Sequence, residues 1–184
     1  MEILTDIHTH TLATPHAYST VYENLQFAKK AGLEAFAVTD HSLRLPDAPH
    51  VYHFENLKAI PKEAEGVRIF RGIELNILDK DGSIDMEEYI LKTLDIVVAS
   101  IHRPCYRHVA LDDHTETYLN VLDNPYITVL GHTDSSDLMY DTDKVLLKAK
   151  ENNVLIEINN LHIEKKKNYE RATEIALRCK ELGV

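Results

Sequence analysis

Cysteine, positive charge and long apolar runs are all in short supply in this chain of 184 residues. Its two cysteines, Cys105 and Cys179, are far apart and share no paired spacing, so they do not form a disulfide framework, and both are expected to be reduced thiols. Basic residues number 20 against 30 acidic ones, giving a formal net charge of −10. The overall field therefore repels nucleic acid and anionic membrane, and affinity for a phosphate must be created locally, which bound divalent cations would do. The N-terminus offers only Ile3 and Leu4 before Asp6, with no basic stretch and no long apolar run. Neither a signal peptide nor a membrane span is expected, and a cytoplasmic protein is the default. No internal repeat or low-complexity segment stands out. The length fits one domain covering residues 1–184 with room for a proper core.

What the chain does contain is an alternation of apolar, β-rich runs with helical patterns. Strands are expected at Ile3 to His8, Glu34 to Thr39, Val67 to Ile77, Asp95 to Ile101, Tyr126 to Leu130 and Val154 to Ile158. A helix from Thr20 to Ala31 carries an apolar stripe of Val21, Leu25 and Ala28; Thr20 and Glu23 form a capping-box pair and Gly32 stops it. Further helices end near Leu122, start near Thr142, and run from Tyr169 to Leu182 with Gly183 just beyond the end. Asp79-Lys80-Asp81-Gly82 reads as a tight turn, and Glu164-Lys165-Lys166-Lys167 as a solvated approach to the last helix. Strands followed by helices, and near-continuous apolar strands such as Ile96-Val97-Val98-Ala99, indicate parallel β/α units covered on both faces.

The polar residues fall at or near the strand carboxyl ends: His8 and His10, Asp40 and His41, Glu74 and Asn76, His102, His132, then Glu157 and Asn159. In a closed β/α barrel those ends share one mouth, whereas an open sheet spreads them along a line, so a barrel is favoured. His8 and His10, two residues apart on a strand, point to one face, and His16 on the following loop can come over the top. His8, His10, His16, His41, Glu74, His102 and His132 together make six imidazoles and one carboxylate. Four ligands satisfy a zinc, so this set implies two or three metals, with Glu74 as the natural bridge because each oxygen can bind a different ion.

The segments Asp6-Ile7-His8-Thr9-His10, His16-Ala17-Tyr18-Ser19, Val38-Thr39-Asp40-His41 and Arg71-Gly72-Ile73-Glu74, with the motif at His102, resemble the PHP (polymerase and histidinol phosphatase) superfamily, specifically its small trinuclear-zinc phosphatases. The match runs in order along the whole chain. It implies a distorted (β/α)7-type barrel and three zinc ions, with manganese or iron also suited to such ligands. By position, His8, His10 and Glu74 would serve the first metal, Glu74, His102 and His132 the second, and His16 and His41 the third. The family continues into a seventh strand ending in Asp-x-His, which this chain lacks. About six β/α units are therefore expected, as in a C-terminally truncated form, with the first and third metals each short of one ligand and the first and sixth strands open at their edges.

The resemblance and the metal set together imply a phosphatase hydrolysing a phosphate monoester of a small molecule by in-line attack of a metal-bridging hydroxide. Catalytic roles are assigned to Glu74, Asp40 and Arg103. Asp6 has the parity to orient a ligand imidazole; Asp40 can orient its neighbour or cap a helix. Arg103 can bind a phosphate oxygen or lie on the surface, and Arg71 can be a phosphate ligand or a buried ion-pair partner. His50 and His53, in Asp47-Ala48-Pro49-His50-Val51-Tyr52-His53, are candidate substrate contacts or part of a solvated loop. His108, His114 and His162 lack ligand spacing and are expected at the surface or in caps. Cys105 is expected as a buried thiol, Tyr18 as a pocket wall, and Ser19 as a pocket or cap residue. The alternatives are a nuclease or proofreading phosphodiesterase, which the acidic balance disfavours, and a metal-free scaffold module, which would lack several of these ligands. An amidohydrolase would want a bridging lysine on the fourth strand, and Asp95 to Ile101 has none. The substrate and oligomeric state are not legible.

Overall fold

A computed structural model of the chain describes residues 3–46, 48–106, 113–164 and 166–184. Asp47, Lys165 and His108 lie outside the described residues. The chain forms two compact units, one of residues 1–75 and 85–98, the other of residues 76–84 and 99–184. It passes between them three times, after Leu75, Ile84 and Val98.

The first unit contains β1 (Thr5–Thr9), α1 (Val21–Ala31), β2 (Ala35–Val38), α2 (Val51–Asn56), β3 (Glu63–Ala64), most of β4 (Val67–Asn76), α3 (Glu88–Leu91) and the start of β5 (Ile96–Ser100). β1 pairs in parallel with β2, and β2 in parallel with β4, while β3 lies antiparallel on β4. The Asp95 N–H donates to the Arg71 carbonyl at 2.7 Å, which ties the start of β5 to β4. The core is built from Phe36, Val38, Ile73 and Leu75 on the strands and Phe54 and Ile90 on the helices, all buried. Gly72 is required where β4 passes between its neighbours: a Cβ there would lie 2.7 Å from both the Ile96 carbonyl oxygen and Thr39 Cγ2.

The expected capping box is present. Thr20 accepts from the Glu23 N–H at 3.1 Å, the Glu23 carboxylate accepts from the Thr20 N–H at 2.7 Å, and Gly32 ends α1 in the left-handed region at φ 77°. The short α2, α3 and β3 were not expected.

The second unit contains the end of β4, the end of β5, α4 (Thr115–Leu122), β6 (Val129–Leu130), α5 (Thr142–Glu151), β7 (Leu155–Ile156), α6 (Asn160–Glu164) and α7 (Lys166–Leu182). The Ile77 N–H donates to the Ser100 carbonyl, the Gly131 N–H to the Ala99 carbonyl, and β6 pairs in parallel with β7. Tyr118, Leu122, Leu130, Leu146 and Ile175 form its core. The fifth and sixth strands are shorter than their apolar runs suggest. The Ile127 N–H closes a turn onto the Asn124 carbonyl, and the Val154 N–H is still held by the Ala149 carbonyl at the end of α5, so only two residues of each run enter the ladder. The last helix begins earlier than expected, at Lys166, directly after the α6 turn. Among the described residues no helix is long and apolar enough to cross a membrane, and Cys105 and Cys179 form no disulfide.

Candidate metal centre

In the first unit the carboxyl ends of β1, β2 and β4 bring four histidines around one glutamate. Glu74 is fully buried, and its Oε2 lies 3.2 Å from His8 Nε2, 3.4 Å from His10 Nε2 and 2.7 Å from His41 Nδ1. The His16 ring is 5.1 Å from that of His41 and 6.3 Å from that of His10, and the His10 and His41 rings stack at 4.5 Å. Ligand atoms of His10, His41 and Glu74 all fall within 4.8 Å of one another.

Backbone pairing explains this convergence. Past the end of β2, the Glu74 N–H donates to the Asp40 carbonyl and the Ser42 N–H to the Glu74 carbonyl, so His41 is carried alongside Glu74. In β1 the register with β2 shifts between Asp6 and Thr9, an irregularity that re-aims side chains next to the site. The His10 carbonyl is gripped by Asn24 of α1 at 3.0 Å.

Asp40 is the organising residue of the loop that follows β1. Its carboxylate accepts from the Thr11 N–H at 2.6 Å, the Thr11 hydroxyl at 2.8 Å and His53 Nε2 at 3.0 Å. Burial opposes its ionisation, but the bonds from His53 and Thr11 prevail and hold its carboxyl below the ordinary carboxylate range. It therefore steadies the segment between His10 and His16 and does not cap a helix. His10 shows the opposite balance: burial outweighs the pull of Glu74 and lowers its pKa to about 4, leaving a neutral imidazole at pH 7.

Imidazole nitrogens packed around a buried carboxylate oxygen are a donor set suited to zinc, manganese or iron, so the residues fit the metals that the sequence implies.

In the second unit the ends of β4, β5, β6 and β7 carry further histidines with polar partners. His102 Nδ1 bonds to Asn76 Oδ1 at 2.7 Å, and the His102 and His132 rings meet edge-on at 5.6 Å. His132 lies in the left-handed region at φ 55°, unusual for a residue with a Cβ, and its N–H donates to Glu157 Oε2 at 2.7 Å. Asn159 Nδ2 donates to the other oxygen of Glu157 at 3.2 Å.

The remaining expectations sort clearly. Asp6 is exposed and accepts from the His8 main-chain N–H at 3.3 Å. The Arg71 guanidinium donates from Nε and Nη2 to the Ile60 carbonyl at 3.2 and 2.6 Å. Arg103 is exposed and ion-paired with Asp137 at 2.7 Å. His50 caps α2 by accepting from the Tyr52 N–H, while His53 turns inward to Asp40. Tyr18 is exposed, the cap of α1 is Thr20 and not Ser19, and Cys105 is only half-buried.

Of the histidines expected at the surface or in caps, His114 takes the N-cap position of α4 without a side-chain cap bond, and His162 lies within α6. His114 is fully buried at the start of α4, its ring 5.1 Å from that of Tyr106. His162 is paired with the buried carboxylate of Asp134 at 2.6 Å. Sequence reasoning missed this pair because its partners are 28 residues apart with no local spacing to mark them.

Several known proteins are similar to this chain. A probable phosphatase of Clostridium novyi (strain NT) is 40% identical over 186 residues, covering 100% of this chain and 76% of the relative. A probable phosphatase of Acetivibrio thermocellus is 44% identical over 185 residues, covering 100% of this chain and 77% of the relative. Among solved structures, the histidinol phosphate phosphatase of Lactococcus lactis, complexed with zinc, L-histidinol and phosphate, superposes with a TM-score of 0.68 at 17% identity, over 97% of this chain and 81% of that one. The fold is thus an α/β barrel-type fold with about six strand–helix units. The model of the PHP domain family matches residues 6–182, and the chain belongs to that family.

Proposed function

We propose that this protein is a metal-dependent phosphatase that hydrolyses a phosphate monoester of a small molecule. The observation that carries the proposal is the Glu74 carboxylate, buried and approached through one oxygen by three imidazole nitrogens within 3.4 Å. Two more observations support it: the similarity to proteins named probable phosphatases, and the zinc and phosphate held by the Lactococcus lactis relative.

The metal-holding residues in this reading are His8, His10, His16, His41 and Glu74 in the first unit and His102 and His132 in the second, with zinc the first choice of ion. Bound divalent ions would supply hydroxide near neutral pH as the in-line nucleophile and would polarise the phosphoryl oxygens. The chain's own residues prepare for this. Burial keeps His10 neutral, so its ring offers a lone pair and not a proton. Asn76 Oδ1 accepts from His102 Nδ1 and thereby directs Nε2 outward from that bond. Asp40, by holding Thr11 and His53, keeps the loop carrying His16 in place, a positioning role. With a net charge of −10, the chain relies on bound cations to attract a phosphate.

The test is metal analysis combined with hydrolysis of p-nitrophenyl phosphate and of bis-p-nitrophenyl phosphate, in wild type and His102→Ala. The expected result is bound metal and faster monoester than diester hydrolysis, both metal and activity falling in the variant. Equal activity in His102→Ala would remove the second-unit histidines from the reaction, and faster diester hydrolysis would favour the phosphodiesterase alternative.

A further inference from the structure

The Asp134–His162 pair belongs to none of the roles assigned above, yet it is built in the same way as the pair that orients His102. Asp134 is fully buried after β6, and its two oxygens are both engaged: Oδ1 with His162 Nδ1 at 2.6 Å and Oδ2 with the Asn159 N–H at 3.0 Å. A carboxylate accepts, so Nδ1 carries the proton of this bond, and a neutral ring so held would present its lone pair at Nε2. That is the tautomer of a metal-bound imidazole whose other nitrogen is held by a carboxylate.

The ring also lies in the right company. His162 meets His132 edge-on, with centroids 5.9 Å apart and planes at 67°. His132 in turn meets His102 at 5.6 Å and 79°. The three imidazoles form a row in which both outer rings are fixed through Nδ1 by a side-chain oxygen, Asn76 for one and Asp134 for the other. The His162 side chain is 12% exposed, so it is neither solvated on the surface nor sealed in the core. A buried carboxylate is an expensive way to hold a five-residue helix, for which the bond from the Leu161 N–H to Asn159 Oδ1 already provides a cap.

We propose that His162 is a further metal-binding histidine, its Nε2 joining His132 on a divalent cation that takes nitrogen ligands, and that Asp134 is its positioning residue. The proposal rests on the metal-dependent reading above. Its test is separate from catalysis.

Metal-free protein labelled with 15N at histidine is titrated with Zn²⁺, and the ring nitrogens are followed by long-range 1H–15N NMR, with His162→Gln used to assign the signal. The expected result is that His162 Nε2 moves together with His102 Nε2 while His162 Nδ1 keeps its proton. His162→Gln should also weaken zinc binding by roughly 10- to 100-fold, the range for disturbed metal-site residues. If His102 and His10 respond and His162 does not, His162 merely fastens α6 and the proposal fails while the metal reading stands. If no histidine responds, the metal reading itself fails and this inference goes with it. If the variant does not fold, a 13C,15N-labelled wild-type sample, in which each ring is correlated through bonds with its own backbone, assigns the signal and the titration still decides the matter.

Discussion

The two units of this molecule assemble histidines by different means. In the first, His8, His10 and His41 converge on one oxygen of Glu74, so a single buried carboxylate organises the whole group. In the second, each histidine has its own anchor: Asn76 for the His102 ring, Glu157 for the His132 main chain and Asp134 for the His162 ring. The first design concentrates the cost of failure in one residue. The second divides it, so that each anchor can be lost with a smaller, local effect.

Glu74→Gln should therefore have the largest effect, a fall in phosphatase activity of more than ~10²-fold with loss of metal, because it removes the charge on which three imidazoles converge. Elemental analysis and steady-state rates check this, and retention of both would break the comparison at its strongest point. Asn76→Ala should weaken metal binding by about 10- to 100-fold by releasing His102. His102 should lose most of its response to zinc, read by titration and histidine NMR, and an unchanged response would mean that Asn76 does not position the ring.

Gly72→Ala acts on the framework. With a Cβ 2.7 Å from the Ile96 carbonyl oxygen and from Thr39 Cγ2, β4 must shift just ahead of Glu74, at a cost of about 1–3 kcal/mol in stability. A chemical denaturation midpoint lower than wild type is expected, and an unchanged one would mean the strands yield freely. Thr20→Ala should have the smallest effect, about 1 kcal/mol from loss of the capping box, with metal content unchanged.

Much of the first unit was legible in the sequence. His8 and His10 lie two residues apart at a strand end, His41 follows an apolar strand, Glu74 lies near the end of another, and Thr20 with Glu23 announces the start of α1, because all of these patterns are local. Less of the second unit was legible. The run from Tyr126 to Leu130 reads as a strand, yet its first residues are taken by a turn from Asn124. His114 looks like a polar residue for the surface, but the ring of Tyr106 gives it a buried place. His162 carries no motif, and only the fold brings it to Asp134. The anchors Asn76 and Glu157 were visible as polar strand-end residues, but their partners are set by tertiary contacts that no spacing records.

The central claim, that Glu74 and the histidines around it form a metal centre, is tested most directly by anomalous diffraction at the zinc absorption edge from crystals grown with zinc. The account predicts anomalous density within bonding distance of the Glu74 carboxylate and of rings among His8, His10, His16 and His41. Absence of density there, with zinc in excess and these side chains ordered, would contradict it.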